Sequence, residues 1–201
     1  MIGYCPSCEQ YNNDNTVKNG DGYVGYEVCR DCGFEIEFKR LPLFVLVGAN
    51  GTGKTTVMKS LIGRLTSVIA FESDCLWNRY SSEENLWDRI CFYTGQNGMP
   101  CLVAGHFGPD AFRGEYYYQI HHMLLTCKTE ELKRRLLSRP QWRRTCDPEE
   151  LKRLIEYNEN ILPAWGDEYT NLTVIDTTDG DLNQYVRQIE TQIRDALTHS
   201  G

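Results

Sequence analysis

The stretch "FVLVGANGTGKTT", Phe44–Thr56, decides the fold. The apolar run "LFVLVG" reads as a strand buried on both faces, as parallel sheets require. Gly48-Ala49-Asn50-Gly51-Thr52-Gly53-Lys54-Thr55 follows and fits the pattern G-x4-G-K-[ST]. Val57, Leu61, Ile62 and Leu65 then mark one face of a helix. Strand, glycine loop and helix in this order make a phosphate cradle. The glycines let backbone N–H groups point inward, and the helix N-terminus adds its dipole. Gly48, Asn50, Gly51, Thr52, Gly53, Lys54, Thr55 and Thr56 are the expected ATP contacts. Lys54 is expected to reach the β- and γ-phosphates, and the Thr55 hydroxyl to ligate Mg²⁺.

Outward from this stretch the chain alternates strand and helix. "SVIAFESD", "PCLVAGHF", "QIHHMLLTC" and "NLTVIDTT" read as four further strands. "SEENLWDRICFYTG" reads as a helix, and "TEELKRRLLSR" as another, capped by Thr129. Asp147-Pro148-Glu149-Glu150 opens a third: Asp caps, Pro fits the first turn, and Glu150 completes a capping box. Leu151, Leu154, Ile155 and Leu162 give it an apolar stripe, and Leu182, Val186, Ile189, Ile193 and Leu197 stripe the last helix. The pattern predicts an α/β domain over residues 41–201, with a parallel five-stranded sheet flanked by helices.

Residues 1–40 read differently. Cys5-x2-Cys8 and Cys29-x2-Cys32 form two pairs with twenty residues between them, around the Gly- and Asn-rich "NNDNTVKNGDG". "YVGYEV" and "FEIEF" alternate with period two and predict short strands. Two residues between cysteines let both thiolates turn onto one metal, and Gly33 permits the tight turn. Four thiolates suit a closed, tetrahedral and therefore structural Zn²⁺ site. A segment this small lacks a core of its own and needs such a staple. The segment resembles the zinc ribbons. A boundary falls near Pro42, just before the buried strand.

Composition narrows the function. The chain has 201 residues, 41% hydrophobic, with a formal net charge of −7. An acidic chain is a poor general binder of nucleic acid. The first segment is itself acidic: Glu9, Asp14, Asp21, Glu27, Asp31, Glu35 and Glu37 outnumber Lys18, Arg30, Lys39 and Arg40. No apolar run is long enough to span a membrane, and the N-terminus does not read as a secretory signal, so a cytoplasmic protein is expected. The cysteines number nine, and an odd count argues against a disulfide framework. Cys75, Cys91, Cys101, Cys127 and Cys146 read as small core residues.

A hydrolysing motor carries an apolar strand ending in Asp-Glu to orient water. Here "CLVAGHF" ends in Gly105-His106, and no guanine motif Asn/Thr-Lys-x-Asp is present. The acids stand at the end of the second strand, Glu72 and Asp74 in "FESD". Strand C-termini in open parallel sheets face the ligand crevice, and residues two apart in an extended chain project to one side. Either acid could activate an acceptor hydroxyl or bind Mg²⁺ through water.

On these features the chain resembles the P-loop small-molecule and nucleotide kinases, among them shikimate, gluconate and adenylate-kinase-like enzymes and chloramphenicol phosphotransferase, over about residues 43–198. Those enzymes keep an acid after the second strand and an L-x-x-R-L-x-x-R-like helix followed by a mobile arginine lid. "LKRRLLSRPQWRR", Leu132–Arg144, occupies that place, with the lid at about 139–147. The resemblance implies that, of Arg135 and Arg139, one flanks the adenine and the other the phosphates, and that Arg143 and Arg144 close over the transferring phosphoryl group. Lys54, Asp74, Glu72, Arg139 and Arg143 are then the catalytic set. "GHFGPDAFRGE" departs from the kinase patterns and leaves the acceptor open, with His106 and Arg113 as candidate contacts. "EYYYQ" reads as packing or surface rather than a stacking platform, as do Trp142 and Trp165. Asp176 and Thr177 are weak candidates near the adenine.

The sequence thus predicts an ATP·Mg-dependent phosphotransferase acting on a nucleoside, a nucleotide or another small hydroxyl- or phosphate-bearing metabolite. The alternative is an ATP-binding regulatory or nucleic-acid-end-processing protein whose ribbon docks a partner.

Overall fold

The computed structural model describes residues 3–12, 14–76, 86–166 and 171–198. Two sheets are present. The first is antiparallel and contains β1 (Thr16–Asn19), β2 (Val24–Val28) and β3 (Glu35–Lys39), in that order. β1 lies inside the Gly- and Asn-rich stretch, for which the sequence predicted no strand. Only Val17 among its residues is apolar, so the sequence carries no alternation there; pairing with β2 orders it.

The second sheet is parallel and contains β4 (Leu43–Gly48), β5 (Ile69–Glu72), β6 (Cys101–Ala104), β7 (Ile120–Thr126) and β8 (Leu172–Asp176). Its order is β5-β6-β4-β7-β8. The chain leaves β4 for one edge of the sheet, returns through β6, and crosses β4 to build the other side. That reversal places the crevice of the sheet at the C-terminal end of β4.

Alternate residues of β4 feed two cores. Phe44 and Leu46 join Val57, Met58 and Leu61 of α1 (Lys54–Leu61) and Val186, Ile189 and Ile193 of α5 (Leu182–Thr198). Leu43, Val45 and Val47 join Cys91 and Phe92 of α2 (Leu86–Gln96) and Ile161 and Trp165 of α4 (Pro148–Gly166). All six residues of β4 are buried, as an inner parallel strand demands. Leu132 and Leu136 of α3 (Thr129–Leu137) pack on Leu154 of α4.

Several expectations shift at element ends. The helix after the phosphate loop stops at Leu61, so Ile62 leaves the stripe and is exposed. Thr129 does not cap α3. Its hydroxyl donates to Glu159 at 2.6 Å, and the Thr178 hydroxyl accepts the Lys128 amide instead. Asp147 does cap α4, accepting the Glu149 amide at 3.1 Å. The part of the predicted second helix before Leu86, and the Leu162 side chain, lie outside the described residues. Cys91, Cys101 and Cys127 are buried, but Cys75 and Cys146 are exposed in connections beyond the cores. Trp165 is a core residue, whereas Trp142 is 75% exposed and lies against Arg143.

Candidate functional site

The phosphate loop is held by its own residues and by its neighbours Leu125 and Thr177. Gly48 has φ 148°, and a Cβ there would meet the Leu125 carbonyl oxygen at 2.4 Å, so only glycine fits. The buried Thr52 hydroxyl donates to the Ala49 carbonyl at 2.9 Å. Thr177, also buried, donates to the Thr52 carbonyl at 2.9 Å and so ties the loop to the end of β8. Gly48 and Thr52 therefore form the underside of the loop. Its cleft-facing side is made of Asn50, Gly51, Gly53, Lys54, Thr55 and Thr56.

The same cleft is lined by Glu72, Asp74, Ala104, Gly105, His106, Arg139 and Arg143. Lys54 Nζ donates to the carbonyls of Gly48 at 2.7 Å and Ala49 at 3.2 Å. Burial lowers its pKa to about 8, with Asp74 and Glu72 opposing the shift and Arg139 adding to it. The Thr55 hydroxyl donates to Glu72. A hydroxyl beside a carboxylate is the kind of oxygen set that hard Mg²⁺ takes, together with substrate phosphates. Three cationic side chains around a nest of amides fit an anion such as a nucleotide polyphosphate.

Both acids reach the cleft, though not by strand alternation. β6 ends at Ala104, so β5 loses its pairing partner after Glu72. Ser73–Leu76 turns into a short 3₁₀ helix, and that turn brings Asp74 round.

His106 lies at the mouth of β6. Its Nε2 is 2.9 Å from Asn50 Oδ1, and its ring lies 5.7 Å from that of Tyr157. Desolvation in the cleft, followed by the nearby Lys54 ammonium, lowers its pKa to about 4, so the ring is neutral. Tyr157 carries no sequence signal that would have singled it out; only the packing of α4 brings it there.

The basic residues after β7 separate. Arg139 and Arg143 line the cleft, and burial, then Arg143, lowers the Arg139 pKa. Arg135 is not in that lining. It pairs with Glu131 at 2.7 Å and bonds to the Thr177 carbonyl, bracing the loop after β8. Arg134 makes a bidentate surface pair with Glu131. Arg144 is 82% exposed in its side chain and faces Asp147. Arg113 also lies outside the lining: it pairs with Asp88 at 3.4 Å and stacks on Tyr116. Tyr116 and Tyr117 are buried and Tyr118 is exposed, in keeping with packing and surface roles.

At the other end of the chain, Cys5, Cys8, Cys29 and Cys32 place their Sγ atoms within 4.8 Å of one another. Cys5 and Cys32 are 3.6 Å apart, and Cys8 and Cys29 3.7 Å. Zinc–sulfur bonds of about 2.3 Å in a tetrahedron put sulfurs about 3.8 Å apart, so the four thiols fit that ion. The two knuckles repeat one backbone. The amides of Glu9 and Gly33 donate to the carbonyls of Cys5 and Cys29, at 2.8 and 2.9 Å, and both residues have positive φ, 57° and 74°.

The fold and the two sites define a P-loop kinase-like α/β protein carrying an N-terminal four-cysteine sheet. No family model and no curated protein matches the chain. Among solved structures it is similar to a sugar kinase from Janibacter sp. HTCC2649, with a TM-score of 0.55 at 13% identity, over 77% of this chain and 95% of that one. A gluconokinase from Sinorhizobium meliloti 1021 aligns at 0.46 and 18% identity, over 74% of this chain and 90% of that one. A shikimate kinase from Bacteroides thetaiotaomicron aligns at 0.45 and 16% identity, over 77% and 98%. At 13% identity the likeness to the Janibacter sugar kinase is one of fold. Among the described residues no helix is long and apolar enough to cross a membrane.

Proposed function

We propose that the chain is an ATP·Mg-dependent phosphotransferase acting on a small acceptor that bears a hydroxyl or phosphate group. Nucleosides and nucleotides are included in that class. The reading is carried by one observation: the phosphate loop shares its cleft with two carboxylates from the neighbouring strand end and two arginines after α3. The strand that in a hydrolysing motor would offer the water-orienting acid offers Gly105 and His106 instead.

In this reading the nucleotide supplies the phosphoryl group, and Mg²⁺ offsets its charge. The loop amides and Lys54 hold the phosphate oxygens. Thr55, with Glu72 beside it, would hold the metal. Asp74 takes the proton from the acceptor hydroxyl, or orients an acceptor phosphate. Arg139 and Arg143 stabilise the charge spread over the transferring group and help exclude water. Four thiolates would hold structural zinc in the N-terminal sheet.

A mass-spectrometric screen of a metabolite extract with ATP·Mg tests the reading. A phosphorylated product is expected, with ADP formed only when the acceptor is present. Asp74→Asn should cut turnover at least about a hundredfold while changing nucleotide affinity little. A broad panel of nucleosides, nucleotides and sugars that yields no product would overturn it.

A further inference from the structure

We propose that the N-terminal sheet supports the acceptor side of the cleft, and that losing its four-thiolate site loosens that side while leaving the phosphate loop in place. The inference rests on the phosphotransferase reading for the word "acceptor" only; the coupling itself stands on contacts.

Glu27 on β2 is fully buried and lies two residues before Cys29. Burying a carboxylate is costly unless donors surround it. Here Asn15 donates to it at 2.9 Å and the Gly3 amide at 3.3 Å, both from the arm that carries Cys5 and Cys8. Tyr116 donates to it at 3.2 Å, from the segment between β6 and β7. The guanidinium of Arg113 lies 4.7 Å over the Tyr116 ring and reaches Asp88 on α2. Asp88 is also fully buried and accepts the Tyr117 hydroxyl at 2.7 Å.

Apolar and backbone contacts run in parallel. Phe38 of β3 packs on Tyr116 at 5.3 Å and Phe92 at 5.5 Å. Gln96 of α2 exchanges hydrogen bonds with the backbone of Lys39, at 2.8 and 3.0 Å. Arg40 donates to the carbonyls of Glu115 and Tyr117.

What the sheet grips leads into the cleft. Phe112 meets Phe107 edge-on at 5.0 Å, next to the cleft residue His106. The phosphate loop is braced elsewhere, by Leu125, Leu132 and Thr177. Two buried carboxylates, each hydrogen-bonded and linked to one another through the contact of Arg113 with the Tyr116 ring, favour a single arrangement of these elements, and such a linked set is weakened as a unit when one member shifts. The cysteine cluster ties the arm that donates to Glu27 to the strand that carries Glu27. Glu27 and Tyr116 are therefore positioning residues.

Hydrogen–deuterium exchange on the full chain tests this, before and after zinc removal with 1,10-phenanthroline, with Mg·ADP titrated in parallel. Chelation and Tyr116→Phe should each speed exchange about tenfold in residues 86–96 and 105–117. Residues 54–61 should keep their protection, and Mg·ADP affinity should stay within about twofold. Glu27→Ala should reproduce the chelated pattern, while Glu27→Gln, which keeps an acceptor oxygen, should retain most of the protection. Faster exchange confined to residues 3–39 would overturn the proposal. So would exchange that spreads to α1 and α5, or a matching loss of Mg·ADP affinity. A failed product screen would remove the acceptor reading and leave this result independent of it.

Discussion

In the proposed reading the phosphate loop and the N-terminal knuckles each hold an ion, yet these two short turns are stabilised in opposite ways. The loop is one continuous run that lines the cleft with its backbone and Lys54, and its shape is set by the backbone and by neighbours pressed against it. The knuckles come from two segments, and their sulfurs meet in a cluster with Cys5 and Cys29 buried, Cys8 half-buried and Cys32 exposed. The loop is pre-formed by the sheet; in the proposed reading a zinc ion would close the knuckles.

The largest effect should come from the knuckles. Cys29→Ser should drop zinc content from about one per chain to near zero by elemental analysis. It should remove stabilisation on the order of 10 kcal/mol from that segment. Circular dichroism should still show the helices of the α/β part. A Cys29→Ser protein with full zinc content would break the comparison.

Lys54→Ala comes next, with turnover falling about a hundredfold or more and Mg·ADP affinity falling with it. The pH dependence has a definite sign. Lys54 in the free protein loses its proton at about 8, and bound phosphate favours the charged form. Nucleotide affinity should therefore be full below that pH and decline above it, as measured by calorimetric titration. A flat profile from pH 7 to about 9.5 would exclude the role given to Lys54.

Two glycines sharpen the contrast at smaller scale. At Gly48 a Cβ meets backbone at 2.4 Å, whereas at Gly33 nothing lies within 4 Å and only the positive φ resists substitution. Gly48→Ala should cost about 3 kcal/mol and Gly33→Ala about 1 kcal/mol in thermal unfolding. Equal costs would mean that neighbours do not shape the loop. The smallest effect belongs to Glu9, which holds the left-handed position that Gly33 holds in the other knuckle. Glu9→Gly should leave stability unchanged or raise it by up to about 1 kcal/mol.

Much of this was legible in the chain. The phosphate loop is contiguous, so strand, glycines and lysine announce themselves. The cysteine spacing does the same, because two residues between thiols is a local geometric requirement. The parallel sheet follows from apolar runs alternating with striped helices. Element ends were less legible. Asp74 reaches the cleft because β6 is short, and Thr129 does not cap because Glu159 takes its hydroxyl.

The arginines divide the two kinds of information most clearly. By sequence Arg135, Arg139, Arg143 and Arg144 are one basic run from the end of a helix onward; the fold turns Arg139 and Arg143 to the cleft, Arg135 to Thr177 and Arg144 to Asp147. The sequence by itself determined the sheet, the phosphate loop and the four-cysteine cluster, since each depends on residues close together or on simple periodicity. Only the tertiary structure decided that Glu27, Tyr116, Arg113 and Asp88 form one buried network joining the two regions. Glu27, Asp88 and the Arg113–Tyr116 pair lie far apart in the chain, and only packing brings them together.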